Sequence, residues 1–279
     1  MQIQSIGPQL ALGTNPSQRA LKKTNRELQK LLEQIATAKR INRASDDAAG
    51  LSIAEQLTTQ IRGFKTASQN LSDASAALDI ADGAGREITD MIQRQRELAI
   101  QASNDTLTDT DRKALNTEFQ AITQEISRTA EATNYNRQQL TNGKGLGLGN
   151  AQVQVGPNPG EALTVPVINF DAAAMGIQNI SIDTSRGAQA AISKASDILN
   201  SINTQRSVIG ATMNRLTAAG DNLANAMINT QAAESVIRDE EMAMGLAQLT
   251  QQQILQEGAI KTFSRYNEIS KNHILGLLQ

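Results

Sequence analysis

Cysteine and tryptophan are absent from the chain, and histidine occurs once. Without cysteine there are no disulfides and no thiolate metal sites. Aromatic residues make up 2% of 279 residues, too few for a thick core built on large rings. The apolar share comes mostly from Ala, Leu and Ile, which suits long, thin helical packing. Basic and acidic residues nearly balance, 26 against 28, and the basic ones form no stripe, so nucleic acid is not an expected partner. No apolar run approaches the ~20 residues of a membrane helix, so membrane insertion is not expected. The opening "MQIQSIGPQLALGTNP" lacks the basic region and apolar core of a cleavable secretory signal.

Reactive constellations are missing as well. His273 stands alone, with no carboxylate or second histidine at ligand spacing. Gly143, Gly145, Gly147 and Gly149 alternate, but no Lys-Ser/Thr follows them and no strand-to-helix switch frames them, which argues against a phosphate loop. Neither G-x-S-x-G nor H-E-x-x-H occurs. The chain reads as a non-enzyme with no cofactor and no metal. Asp46 and Asp47, within "RINRASDDAAGLSIAEQL" (40–57), are an adjacent acidic pair that invites a catalytic reading. Helical neighbours point about 100° apart, so two such carboxylates converge poorly on one atom. Ser45 as a cap, with Asp46 and Asp47 in a first turn favoured by the helix dipole, makes this a helix start.

Helical periodicity fills most of the chain. Leu21, Leu28, Leu32 and Ile35 mark a first helix over about 17–41. From 46 to 104, Leu71, Ala74, Leu78, Ala81, Gly85, Ile88 and Ile92 step by three and four, heptad-like spacing with small residues that allow close approach. "SNDTLTDTDRKAL" (103–115) predicts a turn and a new helix capped by Asp109 or Thr110, with Leu115, Phe119, Ile122 and Ile126 on one face and an end near Asn134. Residues 141–187 hold three of the five prolines, and "AQVQV" (151–155), "GPNPG" and "ALTVPV" (162–167) predict a hairpin. Pro166 confines its second strand to an edge or an end.

The helical pattern resumes near Gly187. Ile192, Ala195, Leu199, Ile202, Arg206, Ile209, Met213, Leu216, Gly220, Leu223 and Met227 continue it, a tract on the order of 50 Å at ~1.5 Å per residue. A last helix covers about 239–279. The expected fold is mainly α: long antiparallel helices in a coiled-coil or bundle rod, the two terminal tracts paired, with one small β-hairpin region in the middle. Leu71, Leu78, Leu199 and Leu216 are expected in a shared core. "MIQRQRELAIQAS" (91–103) is a dense charged patch in which Arg94, Arg96 and Glu97 surround Leu98.

These residues resemble bacterial flagellin. "RINRASDDAAGLSIA", the long run from "IRGFKTASQNLSDASAALDIADGAGREITDMIQRQRELAIQASNDTLTDTDRKALNTEF", "EISRTAEATNYNRQQLTNG", "VQVGPNPGEAL" and "SVIGATMNRLTAAGDNLANA" follow the family pattern through nearly the whole chain. The resemblance implies an extracellular structural subunit that polymerises with itself into the flagellar filament for motility. It implies terminal helices, 1–45 plus 239–279, as a coiled-coil inner layer, and 46–238 as a rod-like outer domain. Ser45, Asp46 and Asp47 would mark the passage between them. Only the short 141–187 segment stands where members often carry large outer domains, so this is a short form. Implied partners are the flagellar export apparatus, a flagellin chaperone, and the filament cap and junction proteins. Arg94 and Leu98, with Glu118, match family positions of subunit contact and of engagement by a host Toll-like receptor. Where the family usually has Leu-Ser-Ser-Gly before Arg-Ile-Asn, this chain has Ile35-Ala36-Thr37-Ala38. A hook–filament junction protein is the nearby alternative. A signalling helical bundle is the more distant one, and it would need a membrane span or a sensor domain.

Overall fold

The computed structural model describes residues 16–143, 151–166 and 168–277. The order is α1 (Pro16–Thr37), α2 (Ala48–Ala102), α3 (Asp109–Ala132), β1 (Asn134–Tyr135), β2 (Gln138–Gln139), β3 (Ala151–Gln154), β4 (Ala162–Val165), α4 (Ala172–Met175), α5 (Ser185–Arg238) and α6 (Met242–Leu277). Two compact units form. One joins the segments before and including Thr58 to those from Thr230 onward, and the other is Thr59–Asn229. Of the alternating glycines, Gly145, Gly147 and Gly149 lie outside the described residues.

In the unit 59–229 the helical stripe is the core. Leu71, Ala74, Leu78, Ala81, Ile88 and Ile92 of α2 are buried with Ala195, Ile202, Ile209, Leu216 and Leu223 of α5. The two helices run antiparallel. Arg206 Nε donates to Asp82 Oδ1 at 2.8 Å, and Ser185 Oγ reaches the Ser103 carbonyl. The non-apolar members of the two stripes thereby acquire reasons. Gly85 faces the buried Phe170 ring, which a Cβ would approach to 3.1 Å. Arg206 joins Arg86 on Asp82, and these guanidiniums, Arg206 first, hold the carboxyl below its ordinary range against the opposing effect of burial. Leu199 is only half-buried; the adjacent Ile198 takes the core position.

Several boundaries differ from the sequence expectation. The α3 cap is Thr108, not Asp109 or Thr110. Its hydroxyl accepts from the Asp111 amide, and the Asp111 carboxylate accepts from the Thr108 amide, a reciprocal capping box. Helix α3 stops at Ala132 because 134–139 forms a second, unexpected hairpin, β1 with β2. Its two loop residues, Asn136 and Arg137, have φ of 48° and 66°, the left-handed pair that a two-residue hairpin turn requires. Tyr135 on β1 sets its hydroxyl 3.3 Å from Asp73 Oδ1, and burial together with that carboxylate pushes the phenol pKa up. The expected hairpin pairs Ala151↔Val165 through Gln154↔Ala162, shorter than the sequence suggested, with Pro166 just beyond its end. Its loop docks on α2 at Gly63, where a Cβ would come within 2.7 Å of Pro157 Cβ.

In the other unit, α1 packs antiparallel on α6. Gln252 Nε2 donates to Glu27 Oε2 at 2.9 Å and Gln256 Nε2 to Asn25 Oδ1 at 2.8 Å. Leu21, Leu28 and Ile35 are half-buried, whereas Leu32, expected in the same stripe, is exposed. Tyr266 lies exposed on α6.

Candidate functional site

The joint between α1 and α2 is built from local hydrogen bonds. Helix α1 ends where the Lys39 amide reaches back to the Gln34 carbonyl and the Ala38 amide to that of Ile35. This is the paired closure that needs a left-handed residue after the helix. Ala38 supplies it with φ 54°, at the position where the family usually has glycine. Buried Gln34 donates its amide to the Arg40 carbonyl at 2.6 Å.

Asp46 and Asp47 then divide the labour. Asp46 accepts from the amides of Asn42 and Arg43, at 3.2 and 3.0 Å, and from Lys30 of α1 at 3.0 Å. Burial pushes its carboxyl up, but these donors outweigh that effect and hold it below the usual range. Asp47, not Ser45, caps α2: its Oδ1 accepts from the Gly50 amide at 2.9 Å, and the helix begins at Ala48. Ser45 is exposed in the preceding turn. The expected first turn at 46 is displaced by two residues because Asp46 is committed to the turn before it.

A second joint, 239–241, meets the first. The Arg40 amide donates to the Arg238 carbonyl at 2.7 Å and the Glu240 amide to the Ala38 carbonyl at 3.1 Å, forming an isolated antiparallel bridge at Lys39↔Asp239. Arg40 Nη2 adds a bond to the Ile237 carbonyl at 2.7 Å. The two joints are thus clasped by backbone hydrogen bonds. Sequence reasoning missed Gln34, Arg40 and the clasp; the alanine at a glycine position was the available signal.

Helix α6 carries most of the exposed apolar surface of its unit: Met242, Met244, Leu246, Ile254, Leu255 and Ile260. Helical residues advance about 100° each, so Met242, Leu246 and Ile260 fall in one row and Met244 with Leu255 in another. The line of Gly245, Gln252 and Gln256, which faces α1, lies between the two rows. Among the described side chains, α6 is apolar on both flanks of the line that packs on α1, an arrangement built for more than one neighbour.

The charged patch lies within the unit 59–229. Arg94 Nη2 and Nε bind Glu118 Oε1 at 2.7 and 3.0 Å, and Arg94 Nη1 reaches Glu97 Oε2 at 3.3 Å. All three side chains are exposed. Leu98 is not part of that surface. It is 1% exposed and packs with Ala99, Ala102, Phe119, Ile182, Ala188 and Ala191. Beside it, buried Gln95 donates to the Phe119 carbonyl and to Thr123 Oγ1, locking α2 on α3. Leu98 therefore supports the patch from below. Among the described residues there is no group of three or more His, Asp or Glu able to hold a metal ion, and no helix is long and apolar enough to cross a membrane.

The description "Bacterial flagellin N-terminal helical region" matches residues 12–145, and "Bacterial flagellin C-terminal helical region" matches 192–278. The chain is 38% identical to a flagellin of Halalkalibacterium halodurans over 86% of this chain and 88% of the relative. It is 33% identical to the flagellar filament 31.3 kDa core protein of Treponema maltophilum, over 94% and 96%. Its fold is similar to the crystal structure of Bacillus cereus flagellin, with a TM-score of 0.50 and 25% identity over 56% of this chain and 88% of that one. The helical layout, the two short hairpins and these likenesses converge: the chain belongs to the bacterial flagellin family.

Proposed function

We propose that the chain polymerises into an extracellular flagellar filament with residues 1–45 and 239–279 in its inner layer and 46–238 as the outer rod. The observation that carries this reading is α6, whose apolar rows flank α1 on both sides and stay exposed in the single chain. Copies of the same α1·α6 pair are the natural cover for such rows, since isolated helices of this kind gain most of their stability from packing. The Arg94–Glu118 pair, already ordered at the surface, is proposed as a lateral contact between rods and as the patch a Toll-like receptor would read. Passage through the export apparatus without a cleaved signal, escort by a flagellin chaperone, and placement under a filament cap next to the junction proteins complete the reading.

Electron microscopy of purified chain after seeding tests it, with a chain lacking 1–40 and 240–279 alongside. Filaments from the full chain alone are expected. Filaments from the trimmed chain would move the inner layer elsewhere, and failure of the full chain to polymerise would refute the subunit role.

A further inference from the structure

We propose that Met242 and Met244 form an oxidation site through which peroxides switch off assembly of this chain. The inference rests on the filament reading above for its consequence, but not for its chemistry. The chain has no cysteine and no tryptophan, so thioethers are its softest groups toward two-electron oxidants. Among the described methionines, Met242 and Met244 stand out as 47% and 54% exposed, whereas Met175 is 9% exposed and Met91, Met213 and Met227 are half-buried. The two exposed sulfurs open α6 directly after the Lys39↔Asp239 bridge. One begins the row of Leu246 and Ile260 and the other the row of Leu255, so the pair places a thioether on each flank of the helix.

The step is a direct oxygen transfer. The sulfur lone pair attacks one peroxide oxygen, the O–O bond breaks, and an S–O bond forms. The departing hydroxide takes the remaining peroxide proton and leaves as water. Sulfur is oxidised by two electrons and the peroxide is reduced by two. The product sulfoxide is polar and chiral, where an apolar row needs a flexible hydrocarbon-like group. Covered by a second copy, its oxygen loses water without a donor to replace it. The modified subunit then adds poorly to a growing end. A methionine sulfoxide reductase supplied with a dithiol reverses the change.

The test uses the full chain, dispersed to subunits and exposed to hydrogen peroxide for increasing times before quenching with free methionine. Peptide mass spectrometry gives the order of oxidation, and seeded elongation is followed by light scattering on the same samples. Met242 and Met244 are expected to oxidise before the other described methionines, with Met175 last, and elongation to fall roughly tenfold once both are converted. Sulfoxide reductases A and B with dithiothreitol should restore the rate. In M242L/M244L the ratio of oxidised to untreated rate should stay near one. Equal oxidation rates for Met175 and Met244 overturn the site. An unchanged elongation rate after both are converted, or an equal loss in M242L/M244L, overturns its effect on assembly. No elongation from untreated chain would instead overturn the filament reading, and the effect on assembly with it; the oxidation order is read independently.

Discussion

Ala38 offers a substitution whose sign runs against habit. Replacing alanine by glycine next to a helix usually destabilises, because glycine has more freedom to lose on folding, about 0.5–1 kcal/mol. Ala38, however, sits at φ 54° after the last turn of α1, where its Cβ crowds the following carbonyl at a cost of roughly 1–2 kcal/mol. The exchange therefore yields a net gain of about 0.5–1 kcal/mol for Ala38→Gly. Ala36, two residues earlier and inside α1, has ordinary helical geometry, so Ala36→Gly should lose about 0.8–1 kcal/mol. Amide hydrogen exchange over the last turn of α1 and at Arg40 and Glu240 reads both. Exchange should slow by about two- to fivefold in the first variant and speed up by a similar factor in the second. If both variants exchange faster than the parent, the left-handed closure is not under strain and the argument fails.

Three further outcomes follow from the unit 59–229. Leu78 is buried beside a void of about 20 Å³ lined by Ala81, Leu140, Val165 and Ile168, so Leu78→Ala should cost about 3–5 kcal/mol in urea unfolding. Leu199→Ala, at a half-buried site, should cost less than half of that; equal losses would mean the stripe is misassigned. Leu98→Ala should melt at much lower temperature than the parent, as a core truncation of about 2–5 kcal/mol. Arg94→Ala should leave the melting temperature in place while slowing polymerisation, and a stability loss in both would merge patch and core. Finally, Asp82 has its folded pKa below its ordinary value near 3.8. The stability it contributes is thus present above that value and lost as pH falls through the folded pKa. Melting temperature followed from pH 6 downward should drop less steeply below about pH 4 in Asp82→Asn than in the parent. Parallel curves would assign the acid loss to other carboxylates, Asp46 first among them.

The parts of the fold that were legible in the sequence are those governed by long apolar periods. The steps of three and four from Leu71 to Ile92 and from Ala195 to Leu223 located two buried faces, because such a period has one geometric meaning over several turns. The hairpin at 151–165 was legible from its Gly/Pro loop. What escaped was decided by single hydrogen bonds. Ser45 and Asp47 are equally good caps in composition; Asp47 caps because Asp46 is already bound by Lys30, Asn42 and Arg43. Thr108 outcompetes Asp109 through its reciprocal bond with Asp111. The β1–β2 turn uses Asn136-Arg137, which lacks the glycine that announces such turns. Leu98 shows the remaining difficulty: a leucine among charges looked like surface, but it lies one turn on from Arg94 along the same side of α2 and is covered by Phe119 of α3 and by Ala188 and Ala191 of α5.

The scarcity of rings leaves the molecule with an unusual optical property. With no tryptophan, near-ultraviolet emission comes from two tyrosines, and each unit holds one: Tyr135 on β1, bonded to Asp73, and Tyr266 on α6. Tyr266→Phe therefore leaves a chain whose fluorescence reports only on the hairpin side, and Tyr135→Phe one that lights up only the terminal helix. Without any attached dye, the pair of variants separates melting of the unit 59–229 from events on α6.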